Sequence, residues 1–140
     1  MVPVIIAGAT QELVRSLQQV AQQAGGHPEA VANVAEAVTA LRTAGMPGVL
    51  LLSQTFDGSN ALELIPIFRQ CQKGVKIILL ADTDSVGFLR QARSSGIFYH
   101  TLEPRTDEDC DELRLAIESA REACEKQSEG LWSKVAMAFH

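Results

Sequence analysis

Short aliphatic runs alternating with helical spacings constrain this chain more than any other feature. Val2 to Ala7, Val49 to Leu52 and Val75 to Ala81 are almost wholly apolar, and they show no polar-apolar alternation. Runs of that length without alternation suit strands buried on both faces. A stretch with helical periodicity follows each one. Leu13, Leu17, Val20, Ala21 and Ala24 share a face after the first strand; Thr10 can cap that helix and Gly25-Gly26 ends it. Leu62, Ile65, Phe68 and Cys71 recur after the third, and Val86, Leu89 and Ala92 after the fourth. Two further strands complete the pattern, Glu29 to Asn33 and Ile97 to Leu102. The second helix follows Asn33, with Val34, Val38 and Leu41 on one face, and Gly45 closes it. In the last helix Cys110, Leu113, Ile117, Ala120 and Cys124 form an apolar stripe, with Thr106 and Asp109 as a capping pair. Pro66 lacks the amide that would bond back to Leu62, so a kink or a late start is expected in the third helix.

Five strands alternating with five helices predict an α/β, doubly wound, five-stranded parallel sheet with helices on both faces. Right-handed crossovers favour the flavodoxin-like strand order 2-1-3-4-5. In such sheets a ligand crevice lies beyond the carboxyl ends of the strands, at the switch point between the first and third. Any chemistry is therefore expected at Ala7-Gly8, Ser53-Gln54 and Ala81-Asp82.

Composition narrows the partners. A 46% hydrophobic, 21% charged chain of 140 residues is a globular domain able to bury a core. A net charge of −5 gives no basic field for a phosphate backbone, so nucleic acid is not an expected partner of this domain. Cys71, Cys110 and Cys124 are far apart and odd in number; reduced thiols are expected, with no disulfide framework, metal site or cofactor. The start Met1-Val2-Pro3-Val4 lacks the charged region of a signal peptide, and no run of about 18 apolar residues offers a membrane span. A cytoplasmic location is expected.

The segment Pro47-Gly48-Val49-Leu50-Leu51-Leu52-Ser53 is similar to the Pro-Asp-Leu-Val-Leu-Leu-Asp pattern of the bacterial response-regulator receiver domain. Asp57-Gly58 followed by Leu62-Glu63-Leu64-Ile65 resembles that family's Asp-Gly-hydrophobic-Glu-Leu pattern. Ser95-Gly96 through Glu103-Pro104 resembles its Ala-Gly-Ala…Lys-Pro pattern. The resemblance covers about residues 2 to 125. It implies a phosphoryl site, and this chain departs from that site throughout. The magnesium-holding acidic pair corresponds to Ala7 and Gly8, and the phospho-acceptor aspartate to Ser53. The hydroxyl residue ending the fourth strand corresponds to Ala81, and the lysine before the proline to Glu103. Without an acidic pair little holds a hard divalent cation. Without metal or lysine nothing neutralises a transferring phosphoryl group, and Glu103 repels it. A degenerate, non-phosphorylated receiver is the expectation.

Other residues admit a bland and a sharp reading. Asp57, Asp82 and Asp84 could converge at the same sheet edge and rebuild an ion site; as turn residues and helix caps they need no such role. Ser53 lacks the Gly-x-Ser-x-Gly elbow and a histidine base, so a structural serine is expected. Ala7-Gly8-Ala9-Thr10 is neither a Rossmann nor a Walker loop. His100 stands where the resemblance places a switch aromatic, with Phe98 and Tyr99 beside it; partner contact and edge-strand packing are equally open. Glu125 to Gly130 is polar and reads as a break, dividing a domain over 1–127 from a tail over 128–140. In that tail Leu131, Val135 and Phe139 recur at helical spacing, with Trp132 adjacent, as in a short amphipathic helix that docks on a partner.

The expected function is a signalling interaction module, not an enzyme, acting by protein-protein contact with a protein partner or as a homodimer. Two alternatives remain: a phosphorylatable receiver with displaced acidic residues, and a small flavodoxin-like ligand-binding domain or enzyme.

Overall fold

The computed structural model describes residues 1–82 and 85–138, with 128–138 as backbone alone. Its elements are β1 (Pro3–Ala7), α1 (Gln11–Gln23), β2 (His27–Val31), α2 (Val34–Thr43), β3 (Val49–Ser53), β4 (Thr55–Phe56), β5 (Ser59–Asn60), α3 (Ala61–Cys71), β6 (Lys76–Ala81), α4 (Val86–Ser94), β7 (Tyr99–Leu102) and α5 (Asp107–Ala138). Five strands form one parallel sheet in the order β2-β1-β3-β6-β7, and β4 and β5 form a separate small hairpin. Counted over the sheet alone this is 2-1-3-4-5, as the alternation of elements predicts.

The aliphatic runs alternate between two cores. Val4 and Ile6 of β1, Leu51 of β3 and Leu80 of β6 face α1 and α5, where Leu17, Leu113, Ile117 and Cys124 meet them. Ile5, Leu50, Leu52, Ile77 and Leu79 face the other way, onto Leu41, Leu64, Ile65 and Phe68 of α2 and α3. A strand covered on both faces has no solvent side to mark with polar residues, hence the unbroken runs.

Caps set the helix starts. Thr10 Oγ1 accepts from the Leu13 amide at 3.3 Å, and Asn33 Oδ1 from the Glu36 amide at 2.9 Å. Thr106 and Asp109 cap α5 reciprocally: the Asp109 amide donates to Thr106 Oγ1, and Asp109 Oδ2 accepts from the Thr106 amide, both at 3.1 Å.

Several boundaries differ from the sequence reading. β2 begins two residues earlier, because it is an edge strand with little buried surface and so little pattern. α3 starts at Ala61, capped by Asn60, which excludes a late start; Pro66 lies inside the helix on its exposed side. The fourth-helix positions are not one buried face: Ala92 is buried, Leu89 half-buried and Val86 68% exposed. The expected break over 125–130 is absent from the backbone, and α5 continues through Gly130 to Ala138. One helical glycine costs about 1 kcal/mol, too little to stop a helix by itself. The side chains of Leu131, Trp132 and Val135, and all of Phe139, lie outside the described residues.

Candidate functional site

Three adjacent strands end together at the carboxyl edge. Ala7 pairs with Leu52 and Ser53 with Leu80, so Ala7, Ser53 and Ala81 close the sheet side by side. All three are buried, Ser53 at 4% exposure. Its Oγ has no hydrogen-bond partner among the described residues. Among the described residues no imidazole, lysine or carboxylate therefore activates it, and a hydroxyl left so is a poor nucleophile.

Gly8 caps this edge with a φ of +97°, a conformation that side-chain-bearing residues avoid. A Cβ placed there would lie 3.0 Å from Ser53 Cβ, 3.1 Å from the Thr55 carbonyl and 3.2 Å from Phe56 Cβ. The hairpin supplies the last two atoms. It turns on Asp57-Gly58, both with positive φ, as a two-residue type I′ turn demands. Gln54, which the sequence reading placed at this edge without a role, ties it together. Its amide donates to the Leu80 carbonyl at 3.1 Å, its carbonyl accepts from the Ala61 amide at 2.9 Å, and its Oε1 accepts from the Asp82 amide at 3.1 Å. A glutamine bonded to backbone groups leaves no sequence pattern to find.

The acidic residues nearby are dispersed. Asp57 Oδ2 accepts from the Val34 amide at 3.1 Å, at the start of α2. That amide is an unpaired helix-terminal donor, so the carboxylate is employed there. Asp82 is exposed, and Asp84 lies outside the described residues. Among the described residues no three His, Cys, Asp or Glu side chains are grouped to hold a metal ion. Glu103, whose amide donates to the Ala81 carbonyl at 3.1 Å, lines an open groove of about 410 Å³ with Gly8, Thr10, Glu12 and Arg105. Two carboxylates against one guanidinium make that mouth unfavourable for an anion.

A second surface lies on α4, β7 and α5. Phe98 and Tyr99 are both partly exposed, and His100 is half-buried. Tyr99 Oη donates to Glu112 Oε1 at 3.1 Å. That acceptor holds the phenol above its ordinary pKa, helped by desolvation and by the charge of Glu112. Arg93 donates to His100 Nε2 at 2.9 Å; arginine offers no acceptor, so the contact needs Nε2 unprotonated. Beside them is an apolar groove of about 250 Å³ between Leu89, His100 and Leu102, rimmed by Asp109 and Glu112. Val86 and Leu102, the latter 55% exposed, extend this face, and the sequence reading did not include them in it.

Two of the thiols, Cys110 and Cys124, are held in the protonated, unreactive form. Burial pushes the Cys124 thiol up to about 11, and burial with neighbouring aspartates raises Cys110. Among the described residues no helix is long and apolar enough to cross a membrane.

No protein-family model and no curated protein matches this chain. Solved structures do. The receiver domain protein of Methanospirillum hungatei JF-1, described as CheY-like, superposes with a TM-score of 0.73 at 17% identity, over 91% of this chain and 98% of that one. The beryllofluoride-activated NtrC4 receiver domain dimer gives 0.72 at 18% identity, over 86% and 99%. The chemotaxis protein CheY4 of Vibrio cholerae gives 0.70 at 17%, over 84% and 98%. The chain has the flavodoxin-like receiver fold; identities this low carry the fold and nothing further.

Proposed function

We propose that this chain is a signal-transduction module of receiver fold that accepts no phosphoryl group, catalyses no reaction and acts through protein-protein contacts. One observation carries the reading: the residue at the acceptor position, Ser53, is buried and has no partner among the described residues, beneath a Gly8 that leaves no room for a side chain. The magnesium ion that the resemblance implies does not fit these residues. Ala7 and Gly8 bring no oxygen ligand from their side chains, Asp57 is engaged at α2, and Glu103 brings charge of the wrong sign for a phosphoryl group. What remains for function is surface, and the α4–β7–α5 face carries the exposed apolar residues that contacts between proteins use.

The test is direct. The chain is incubated with acetyl phosphate and magnesium, and separately with beryllofluoride and magnesium. Intact mass and the amide NMR spectrum should not change. A stable adduct on Ser53, or magnesium-dependent shifts near Ala7, would instead support a phosphorylatable receiver with displaced acidic residues.

A further inference from the structure

β2 forms one edge of the sheet and pairs with β1 alone. The His27 amide donates inward, to the Val2 carbonyl at 2.9 Å. Backbone groups alternate in direction along a strand, so His27, Glu29 and Val31 bond to β1, while Pro28 and Ala30 turn theirs outward. Pro28 has no N–H to offer. At the other end the Ala32 amide, next in the alternation, donates to Glu36 Oε2 at 2.6 Å. Three groups stay open between these stops: the Pro28 carbonyl and the amide and carbonyl of Ala30. Stops of this kind keep an edge from growing into a larger sheet. Here they leave room for one short strand in one register. Beside the edge, between β2 and α2, lies a cleft of about 480 Å³, roomy because Ala35, Thr39 and Ala40 of α2 are small. Glu29 and Glu36 line it, and no basic residue does. Glu29 shares the face of its register partner Ile5, which packs towards α2.

We propose that this edge takes an extended basic segment of a partner protein. The segment adds one antiparallel strand, the more stable pairing per residue. Its central residue exchanges two backbone hydrogen bonds with Ala30, and a third runs to the Pro28 carbonyl. Ala30 shares the face of its register partner Ile6, which packs on the α1 side, and the central residue of the segment points the same way. Side chains alternate along a strand, so the two residues flanking that one point into the cleft. Lysine or arginine there meets Glu29 and Glu36. The backbone bonds hold the segment, and the alternate side chains select it. The β2 edge of a second copy would bring the same two carboxylates, and like charges disfavour that pairing. The proposal rests on the reading of the domain as a protein-contact module. It adds a contact surface at the end of the sheet opposite β7 and names the chemistry of its partner.

The probe is the peptide acetyl-Thr-Lys-Val-Arg-Thr-amide, titrated into the isotopically labelled full chain and followed by amide NMR. Saturable shifts should centre on Glu29, Ala30 and Val31, and the Ala30 amide should exchange more slowly with solvent as the peptide is added. Glu29→Lys should weaken binding roughly fivefold or more; Glu29 is exposed, so the folding of this variant is not at risk. Methylating the valine nitrogen of the peptide removes its ladder donor and keeps both charges, and it should weaken binding roughly tenfold or more. A methylated peptide that binds equally well means attraction by charge without strand addition, and overturns the proposal. Equal binding of acetyl-Thr-Glu-Val-Glu-Thr-amide overturns it too, as do shifts centred elsewhere on the chain or no saturable shift at about 10 mM peptide. Shifts at Ala30 that follow the concentration of the chain alone would show a second copy on the edge and overturn the choice of partner. The phosphodonor experiment judges the underlying reading separately.

Discussion

Replacing Ser53 with alanine should stabilise this protein, which is unusual for a core position. Ser53 is 4% exposed and its Oγ has no partner among the described residues. A buried hydroxyl without a hydrogen bond costs about 1–3 kcal/mol relative to its hydrated state. Alanine removes that cost and leaves a gap of one oxygen atom. It forgoes a few tenths of a kcal/mol in strand preference, roughly what serine to alanine exchange is worth in a sheet. The net gain expected is about 0.5–2 kcal/mol. For a domain of this length 1 kcal/mol shifts the melting temperature by about 3–4 °C, so Ser53→Ala should melt about 2–7 °C higher. Urea unfolding followed by circular dichroism checks it, with the midpoint raised and the slope unchanged. Destabilisation by 1 kcal/mol or more would refute the reasoning, since it would mean that the hydroxyl is satisfied in solution by a water or a ligand. Ser53→Asp supplies the opposite arm. Buried among leucines, without metal or lysine, its carboxyl should titrate above the ordinary aspartate range. A group whose charged form is disfavoured in the fold contributes least cost below its unfolded pKa and destabilises as pH rises. Ser53→Asp should therefore fall increasingly below the wild type above about pH 4. Recovery of its stability by magnesium would contradict the absence of a metal site.

Three further outcomes test the geometry. Gly58→Ala should cost about 1 kcal/mol from positive φ alone, since nothing lies within 4 Å of its Cβ position, and Gly8→Ala distinctly more, because Ser53, Thr55 and Phe56 crowd it; urea midpoints of the two give the difference. Tyr99 is the only tyrosine, so absorbance at alkaline pH reports it alone; its midpoint should lie above the ordinary phenol value and fall in Glu112→Gln. Cys124 stays protonated in the fold to about 11 while the unfolded chain loses its proton earlier, so stability should fall as pH rises between the ordinary thiol range and about 11, at up to about 1.4 kcal/mol per unit, and Cys124→Ala should flatten that slope.

Legibility in the sequence followed burial. β1, β3 and β6 are covered on both faces, so nothing interrupts their aliphatic runs, and their ends could be placed to within a residue. β2 was placed two residues late because His27, Glu29 and Ala30 are exposed and only weak packing marks the strand. β4 and β5 have two residues each, too few for any period; only the Asp57-Gly58 turn between them was readable. α4 misled for a related reason: nine residues with only Ala92 buried present an apolar spacing that is mostly surface. In α5 the polar stretch from Glu125 was read as an end, although Glu125, Lys126 and Gln127 are simply exposed positions of a helix that goes on.

The site divides along a different line. Which residues stand at the strand ends was legible, because the order of a doubly wound sheet fixes where its carboxyl edge falls. What they do there was not. Whether a serine in such a place is paired depends on atoms brought in from distant segments. Here Gly8 packs against Ser53 and offers no side-chain partner, while the polar Gln54 beside Ser53 is committed to Asp82. Asp57 shows the same dependence in reverse. Four residues from Ser53 it looks available as a replacement acid, but the left-handed turn that holds it presents its carboxylate to the Val34 amide. An acid already engaged with a helix terminus would have to break that bond to serve a metal ion. The carboxylate closest in sequence to Ser53 is therefore not presented to the strand end, and the edge holds a hydroxyl that nothing among the described residues deprotonates.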